Sequence, residues 1–313
     1  MKMCLICLTK NIENIVHITN LWCYHCPLLQ NIPKELVNLR ELSCHDCPLL
    51  QSIPKEFVNL KELKCSNCPL LQNIPKEFVN LTELSCSKCP LLQSIPKELV
   101  NITELECYNC QLLQTIPKEL VNLTMLECYH CPLLQSIPKE LVNLRVLVCS
   151  KCLLLQSIPK ELVNLIYLNC RNCPLLQSLP KELVNITELY CYHCPLLQSI
   201  PKELVNITRL DCSNCPLLQS IPKDFVNLIY INCRNCQWLE HNMNKNYISN
   251  INKLFLLQKW YRGCLMSKKL KNIYKPILEI YFHPDYKGGY LHKKNMLGFF
   301  ECINKKNRDI GYK

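Results

Sequence analysis

The stretch Cys44-His-Asp-Cys47-Pro-Leu-Leu-Gln-Ser-Ile-Pro-Lys-Glu-Phe-Val-Asn-Leu60-Lys-Glu-Leu63 returns with unchanged register every 21 residues from about Ile18 to about Glu240. A fixed period of this length marks a solenoid or an array of equivalent units. One such unit cannot bury its own apolar face, whereas a stack can, so the units must pack on one another.

Within the unit the apolar positions are Leu36, Leu39, Leu42, Cys44, Cys47, Leu49 or Leu50, and Ile53. Leu42-Ser-Cys44 alternates with period two, as a short strand with one buried face does. Pro33-Lys-Glu-Leu36-Val-Asn-Leu39 instead places Leu at three-residue intervals behind a proline, as a helical turn does. The spacing therefore predicts a strand, a bend and a short helical or 3₁₀ return; α, 3₁₀ and extended returns share it.

Written out, the unit is L-x-x-L-x-C-x-x-C-x-L-L-x-x-I-P-x-x-L-x-x. It resembles the leucine-rich-repeat family core L-x-x-L-x-L-x-x-N/C-x-L, with Cys44 at a Leu position and Cys47 at the Asn/Cys ladder position. The C-x-x-L-x-x-I-P-x-x-L portion also resembles the cysteine-bearing repeats of plant disease-resistance receptors. The resemblance covers roughly residues 15 to 240. It implies an α/β fold, a leucine-rich-repeat solenoid with a parallel strand face, carrying a small helical C-terminal region.

Charge divides the chain. Residues 241–313 hold 15 basic and 4 acidic side chains, so of totals of 36 and 25 the first 240 residues keep 21 of each, and the whole net charge of +11 lies in the tail. All five glycines, Gly263, Gly288, Gly289, Gly298 and Gly311, are there too. The expected domains are thus a degenerate capping unit over 1–17, a solenoid of eleven units over 18–240, and a basic cap or tail over 241–313. In the first of these, Ile15 and Ile18 stand at the Leu36 and Leu39 positions; at the other end Trp238 is placed to close the core, since terminal repeats depart from consensus. The apolar run at Met1–Thr9 is too short for a signal peptide and no segment has the length of a membrane span. An intracellular, cytoplasmic location is expected, with the 26 cysteines as thiols.

Eleven strands at ~4.8 Å spacing give an arc on the order of 50 Å, one face of which is a ready-made binding surface. The Ile-Pro-Lys-Glu-Leu-Val-Asn segment is nearly fixed between units while the outward strand residues vary, so recognition is expected on the strand face. One outward ladder runs Glu41, Glu62, Glu83, Glu104, Met125, Val146, Tyr167, Glu188, Arg209, Tyr230. Like charges opposite one another on adjacent strands are destabilising, so stacked glutamates suggest a basic partner, unless Arg40, Lys61 and Lys64 neutralise them. A second ladder holds Trp22, Lys64, Glu106, Glu127, Val148, Tyr190 and Asp211, and a third holds Tyr24, Tyr108, Tyr129 and Tyr192 among serines. Exposed aromatics of this kind are common at protein interfaces.

The spacing C-x₂-C-x₁₇-C-x₂-C between Cys23 and Cys47 falls in the window of structural zinc sites. Against zinc, both cysteines of each pair share the phase of the buried leucines, small buried thiols serve as apolar fillers, and eleven pairs cannot be divided into four-ligand sites without remainder. A zinc-binding repeat protein, holding about five ions per chain, is the alternative reading from the eleven pairs. Thioredoxin-like chemistry would need a thiolate at a helix N-terminus, which strand-borne pairs do not provide.

In the tail, residues 247–274 read as a basic amphipathic helix. Leu257-Gln258-x₃-Arg262-Gly263, around Trp260, resembles the first half of a calmodulin-type IQ motif, with Ser267 where a basic residue would complete it. That implies a calmodulin-like partner at Gln258, Trp260 and Arg262; a solvated helix capping the array fits the same pattern. His283-Pro284-Asp285 resembles the J-domain loop, but Pro276 leaves little room for the preceding helix. The whole tail resembles the C-terminal region of uncharacterised repeat proteins of giant amoeba-infecting viruses, which would make the cytoplasm that of a host cell. No nucleic-acid motif is present. Nor does any catalytic constellation stand apart from the repeat, and residues copied in every unit are poor candidates for a unique catalytic centre. The sequence thus predicts a non-enzymatic interaction scaffold without cofactor, binding another protein on its strand face, or an adaptor recruiting a second partner through its tail.

Overall fold

The computed structural model describes residues 4–8, 13, 15–222, 224–225 and 227–240. By its internal contacts the chain divides into Met1–Asn244 and Lys245–Lys313. The tail helix, and with it Gln258, Trp260 and Arg262, lies outside the described residues.

A four-residue helix, α1 (Leu5–Leu8), precedes eleven three-residue strands. These are β1 (Asn20–Trp22), β2 (Glu41–Ser43), β3 (Glu62–Lys64), β4 (Glu83–Ser85), β5 (Glu104–Glu106), β6 (Met125–Glu127), β7 (Val146–Val148), β8 (Tyr167–Asn169), β9 (Glu188–Tyr190), β10 (Arg209–Asp211) and β11 (Tyr230–Asn232). They form one parallel sheet in chain order. Every pair is offset by one whole repeat, so Leu21 pairs with Leu42 and Leu42 with Leu63. The ladder outruns the strands: Arg40 N donates to Thr19 O at 2.6 Å before β2, and Cys23 N and His25 N donate to Ser43 O and His45 O after β1. In-register pairing is what a strict period requires, because a one-residue slip would turn every buried leucine outward.

The middle residue of each strand points into the core. With it lie both cysteines, the Ile of Ile-Pro, and the leucines equivalent to Leu36, Leu39 and Leu50, all buried, with Phe57, Phe78 and Phe225 substituting at the Leu36 position. The alternative between Leu49 and Leu50 is settled in favour of Leu50; Leu49 is exposed. Each fully buried Leu contributes roughly 1.5–3 kcal/mol, and most of that contact is made with the neighbouring units.

The return is not a continuous helix. It consists of separate tight turns closed by i→i+3 bonds, Leu36 N to Pro33 O at 3.3 Å and Leu39 N to Leu36 O at 3.2 Å, with a third at Leu50 N to Cys47 O. Three residues advance an α-helix by ~300°, so a helix would carry successive leucines off the core, whereas one turn per Leu returns each to it. Ile18 N bonds Ile15 O in the same manner, and Ile15 is buried, so the segment before the first strand reproduces the turn. At the other end the chain forms a 3₁₀ turn, Gln237–Glu240, with Trp238 buried.

Each strand exit carries a residue with left-handed φ, from 54° at His25 to 59° at His130. Asn, Asp and His, which tolerate this region, occupy most of these positions; Lys88 and Lys151 do not belong to that group.

Candidate functional site

In-register pairing sets Glu41 opposite Glu62, Glu62 opposite Glu83, and Glu83 opposite Glu104. Glu106 pairs likewise with Glu127 on the next outward row. Asn20 Nδ2 donates to Glu41 Oε2 at 2.8 Å, and Ser85 Oγ donates to Glu106 Oε2 at 2.9 Å. Of the three cations expected to neutralise the ladder, Lys64 pairs with Glu62; among the described residues Arg40 and Lys61 form no ion pair with it. Partial burial, then Glu62 and Glu104, holds the Glu83 carboxyl above its ordinary pKa, and burial, then Glu106, does the same for Glu127. The acidic row carries mutual repulsion that a cation would relieve.

The aromatic residues gather in groups. Trp22 and Tyr24 are 62% and 51% exposed on the first unit, where Tyr24 stacks on His45 with centroids 5.1 Å apart. Tyr108 and Tyr129 stack beside Glu106 and Glu127. Burial, then Tyr108 and these two glutamates, pushes the Tyr129 phenol up to about 12. Farther along, Tyr167 and Tyr190 lie 5.5 Å apart, Tyr190 Oη donates to Glu188 Oε2 at 2.9 Å, and Arg171 sits over the Tyr192 ring at 5.5 Å. Tyr230 is half-buried on the last strand. The expected residues thus share one face but fall into separate clusters, the most acidic of them centred on Glu104, Glu106, Glu127, Tyr108 and Tyr129. Glu106 and Glu127 belong to this cluster as fully as the residues of the first ladder, and the i, i+2 alternation from Glu104 to Tyr108 already placed them there.

The two cysteines of a unit differ. The first, as in Cys107, is fully buried packing. The second bridges units: from Cys47 to Cys236, ten thiols each donate to the carbonyl of the first cysteine one unit back, at Sγ···O distances of 3.0–3.3 Å. The same sulfur accepts from the amide of the preceding second cysteine, as Cys68 Sγ does from Cys47 and Cys110 Sγ from Cys89. A thiol at this point both gives and takes, which is what an Asn side chain would do there. Burial pushes the Cys110 thiol up to about 11, so it keeps its proton at neutral pH. Among the described residues, neighbouring repeat pairs do not bring four thiols together as zinc would need; the groups that converge are Cys4, Cys7 and Cys26 and, nearer the surface, exposed His25 with half-buried His45 and Asp46.

A further polar ladder precedes the strands. Asn38 Nδ2 donates to Val16 O at 3.2 Å, Asn59 to Val37 O at 3.1 Å, and so on to Asn227 and Val205 O at 3.1 Å. With the threonines at Thr124, Thr187 and Thr208 these asparagines line a shallow open groove along the later units. No helix among the described residues is long and apolar enough to cross a membrane.

The Leucine Rich Repeat family model matches residues 38–60, 59–81, 80–102, 164–186 and 206–228. No curated protein matches the sequence. Among solved structures, a leucine-rich-repeat protein of Leptospira interrogans is 27% identical with a TM-score of 0.52, the match covering 74% of this chain and 76% of that one. The leucine-rich repeat domain of the type III effector XopL is 20% identical, with a TM-score of 0.54 and coverage of 72% and 80%. The Arabidopsis receptor kinase HAESA, solved in complex with the peptide hormone IDA and a co-receptor, is 20% identical, with a TM-score of 0.50 and coverage of 69% and 46%. The matched segments, the parallel in-register sheet and these likenesses agree on the fold: five stretches of the chain match the leucine-rich-repeat model, and the array is a leucine-rich-repeat solenoid.

Proposed function

We propose that the strand face is a non-enzymatic docking surface for a basic segment of another protein, gripped over β2–β6. The observation that carries this is the row Glu41–Glu62–Glu83–Glu104, paired in register and given one ion pair, at Lys64. A Lys or Arg laid along it would relieve like-charge repulsion, and the stacked Tyr108 and Tyr129 offer a π-face to the same cation. HAESA was solved with a peptide hormone, which supports reading such an array as a peptide holder. The test is fluorescence anisotropy of the full chain with a labelled Lys/Arg-rich peptide and an Asp/Glu-rich control of equal length. Binding of the basic peptide alone, weakened by Glu83→Lys and by Tyr129→Ala and falling with salt, is expected. Equal binding of both peptides, or indifference to both substitutions, sinks the proposal.

The basic tail offers a second contact. Its charge, with Gln258, Trp260 and Arg262, favours an adaptor role in which a calmodulin-like protein or another acidic partner binds there. Titration of the full chain with calmodulin in calcium and in chelator tests this reading, and indifference to Trp260→Ala and Arg262→Ala would count against it.

A further inference from the structure

Cys26 opens the row of ladder thiols and differs from the rest of it. From Cys47 onward each second cysteine has a carbonyl acceptor one unit back, whereas Cys26 Sγ lies 3.5 Å from Cys7 Sγ, which in turn lies 3.6 Å from Cys4 Sγ. All three sulfurs fall within 4.8 Å of one another. A disulfide would bring two of them to ~2.05 Å, so these are separate sulfurs. Around a tetrahedral zinc with Zn–S of ~2.3 Å, neighbouring sulfurs stand about 3.8 Å apart. The spacing found here is therefore close to that of a metal's coordination shell.

One further observation favours a ligand, and it is α1 itself. It has four residues, none of them buried, and its leucines Leu5 and Leu8 are 44% and 59% exposed. A helix this short does not hold itself together in water. The sulfur cluster joins it to the first repeat, with Cys4 buried and Cys7 half-exposed at the surface, where an ion can enter.

We propose that Cys4, Cys7 and Cys26 form a thiolate site for a single thiophilic d¹⁰ cation, zinc foremost, which fastens the N-terminal cap to the solenoid. Each ligating thiol gives its proton to solvent as its sulfur bonds the ion, and water fills the fourth position. The proposal concerns the cap alone. In the repeats a metal would have to displace the hydrogen bonds that join one unit to the next.

The full chain, reduced and freed of metal, is titrated with Zn²⁺, and separately with Co²⁺ under nitrogen. One equivalent of zinc per chain is expected, with thiolate-to-cobalt charge transfer and the intense red absorption of a tetrahedral cobalt site. Cys4→Ser and Cys7→Ser should each lose that equivalent, while Cys110→Ser retains it. Because a cap variant could disturb folding, unsubstituted protein is also alkylated with and without zinc and mapped by mass spectrometry; protection of Cys7 by zinc is expected. No uptake by the reduced chain overturns the proposal, as does uptake unaffected by Cys4→Ser and Cys7→Ser. So does a stoichiometry near the roughly five ions that paired repeats would hold, or a Cys7–Cys26 disulfide that re-forms in the presence of zinc.

Discussion

The phenol rings of Tyr108 and Tyr129 lie face to face, centroids 4.3 Å apart and planes within 7° of parallel, although one whole repeat separates them in the chain. Parallel in-register pairing makes neighbours of equal positions in successive units, so a tyrosine written twice at one position becomes a stacked pair. Such a pair adds about 0.5–1.5 kcal/mol beyond burial of its area. In a double-substitution cycle by chemical denaturation, Tyr108→Ala and Tyr129→Ala together should cost less than the sum of each alone, the difference being this coupling. Additivity would mean that the rings merely coexist.

The two cysteines of a unit should respond oppositely to the same substitution. Cys110 gives its proton to Cys86 O at 3.3 Å, and serine can do likewise. Cys107 is fully buried among apolar neighbours and would leave a serine hydroxyl without compensation. Cys110→Ser should therefore be less damaging than Cys110→Ala, and Cys107→Ser more damaging than Cys107→Ala, each by roughly 1 kcal/mol. Thermal unfolding of the four variants decides; the same order at both positions would mean that the thiol ladder contributes packing alone.

The glutamate row should leave a mark on pH dependence. Partial burial, then Glu62 and Glu104, raises the pKa of Glu83 in the folded protein above its unfolded value. The folded chain thus holds that proton more tightly, so the stability associated with it is fully present below the unfolded pKa and is lost as pH rises through the folded one. Glu83→Gln should accordingly stabilise the protein at neutral pH by a few tenths of a kcal/mol, with the gain shrinking in acid and in high salt. Melting curves across pH and salt would show this. A loss of stability at neutral pH would mean that the carboxylates are already compensated.

Lys88 stands at φ 56° in a turn where its equivalents are mostly Asn, Asp or His. A long side chain gains nothing locally from this conformation, whereas Asn hydrogen-bonds its neighbours there, as Asn235 Nδ2 does with Asn214 Oδ1 at 2.8 Å. Lys88→Asn should raise stability by up to about 1 kcal/mol, read from the denaturation midpoint. Lys88→Pro, which cannot adopt positive φ, should do the reverse.

The repeat unit could be read closely from sequence because its period repeats one arrangement many times. The strand around Leu42, the inward leucines and the burial of Trp238 all follow from phase. The return did not, since Leu36 and Leu39 sit three apart in a turn and in a 3₁₀ helix alike; separating these takes the amide between the two i→i+3 bonds, Val37 N, which turns to Glu35 O and interrupts the 3₁₀ series. Phase also assigned Cys44 and Cys47 jointly to the core. It could not show that one thiol packs while the other bridges units, because the acceptor for Cys47 lies 24 residues away at Cys23 O. On the strand face the ladders were visible, but which members touch depended on side-chain direction: Tyr108 meets Tyr129, while Tyr192 is met instead by Arg171. The Cys4, Cys7 and Cys26 cluster escaped the pattern because Cys4 and Cys7 precede the first full repeat.

Because each ladder thiol, asparagine and strand amide finds its partner at a constant chain offset, any unit can follow any other. Excising residues 111–131 would leave Cys152 a carbonyl at Cys107 in place of Cys128, with the core unchanged in kind. The face would not be conserved: Tyr108 would then stand beside Ser150, and the stacked pair would vanish. Gain or loss of whole units thus edits what the surface spells while leaving its grammar intact.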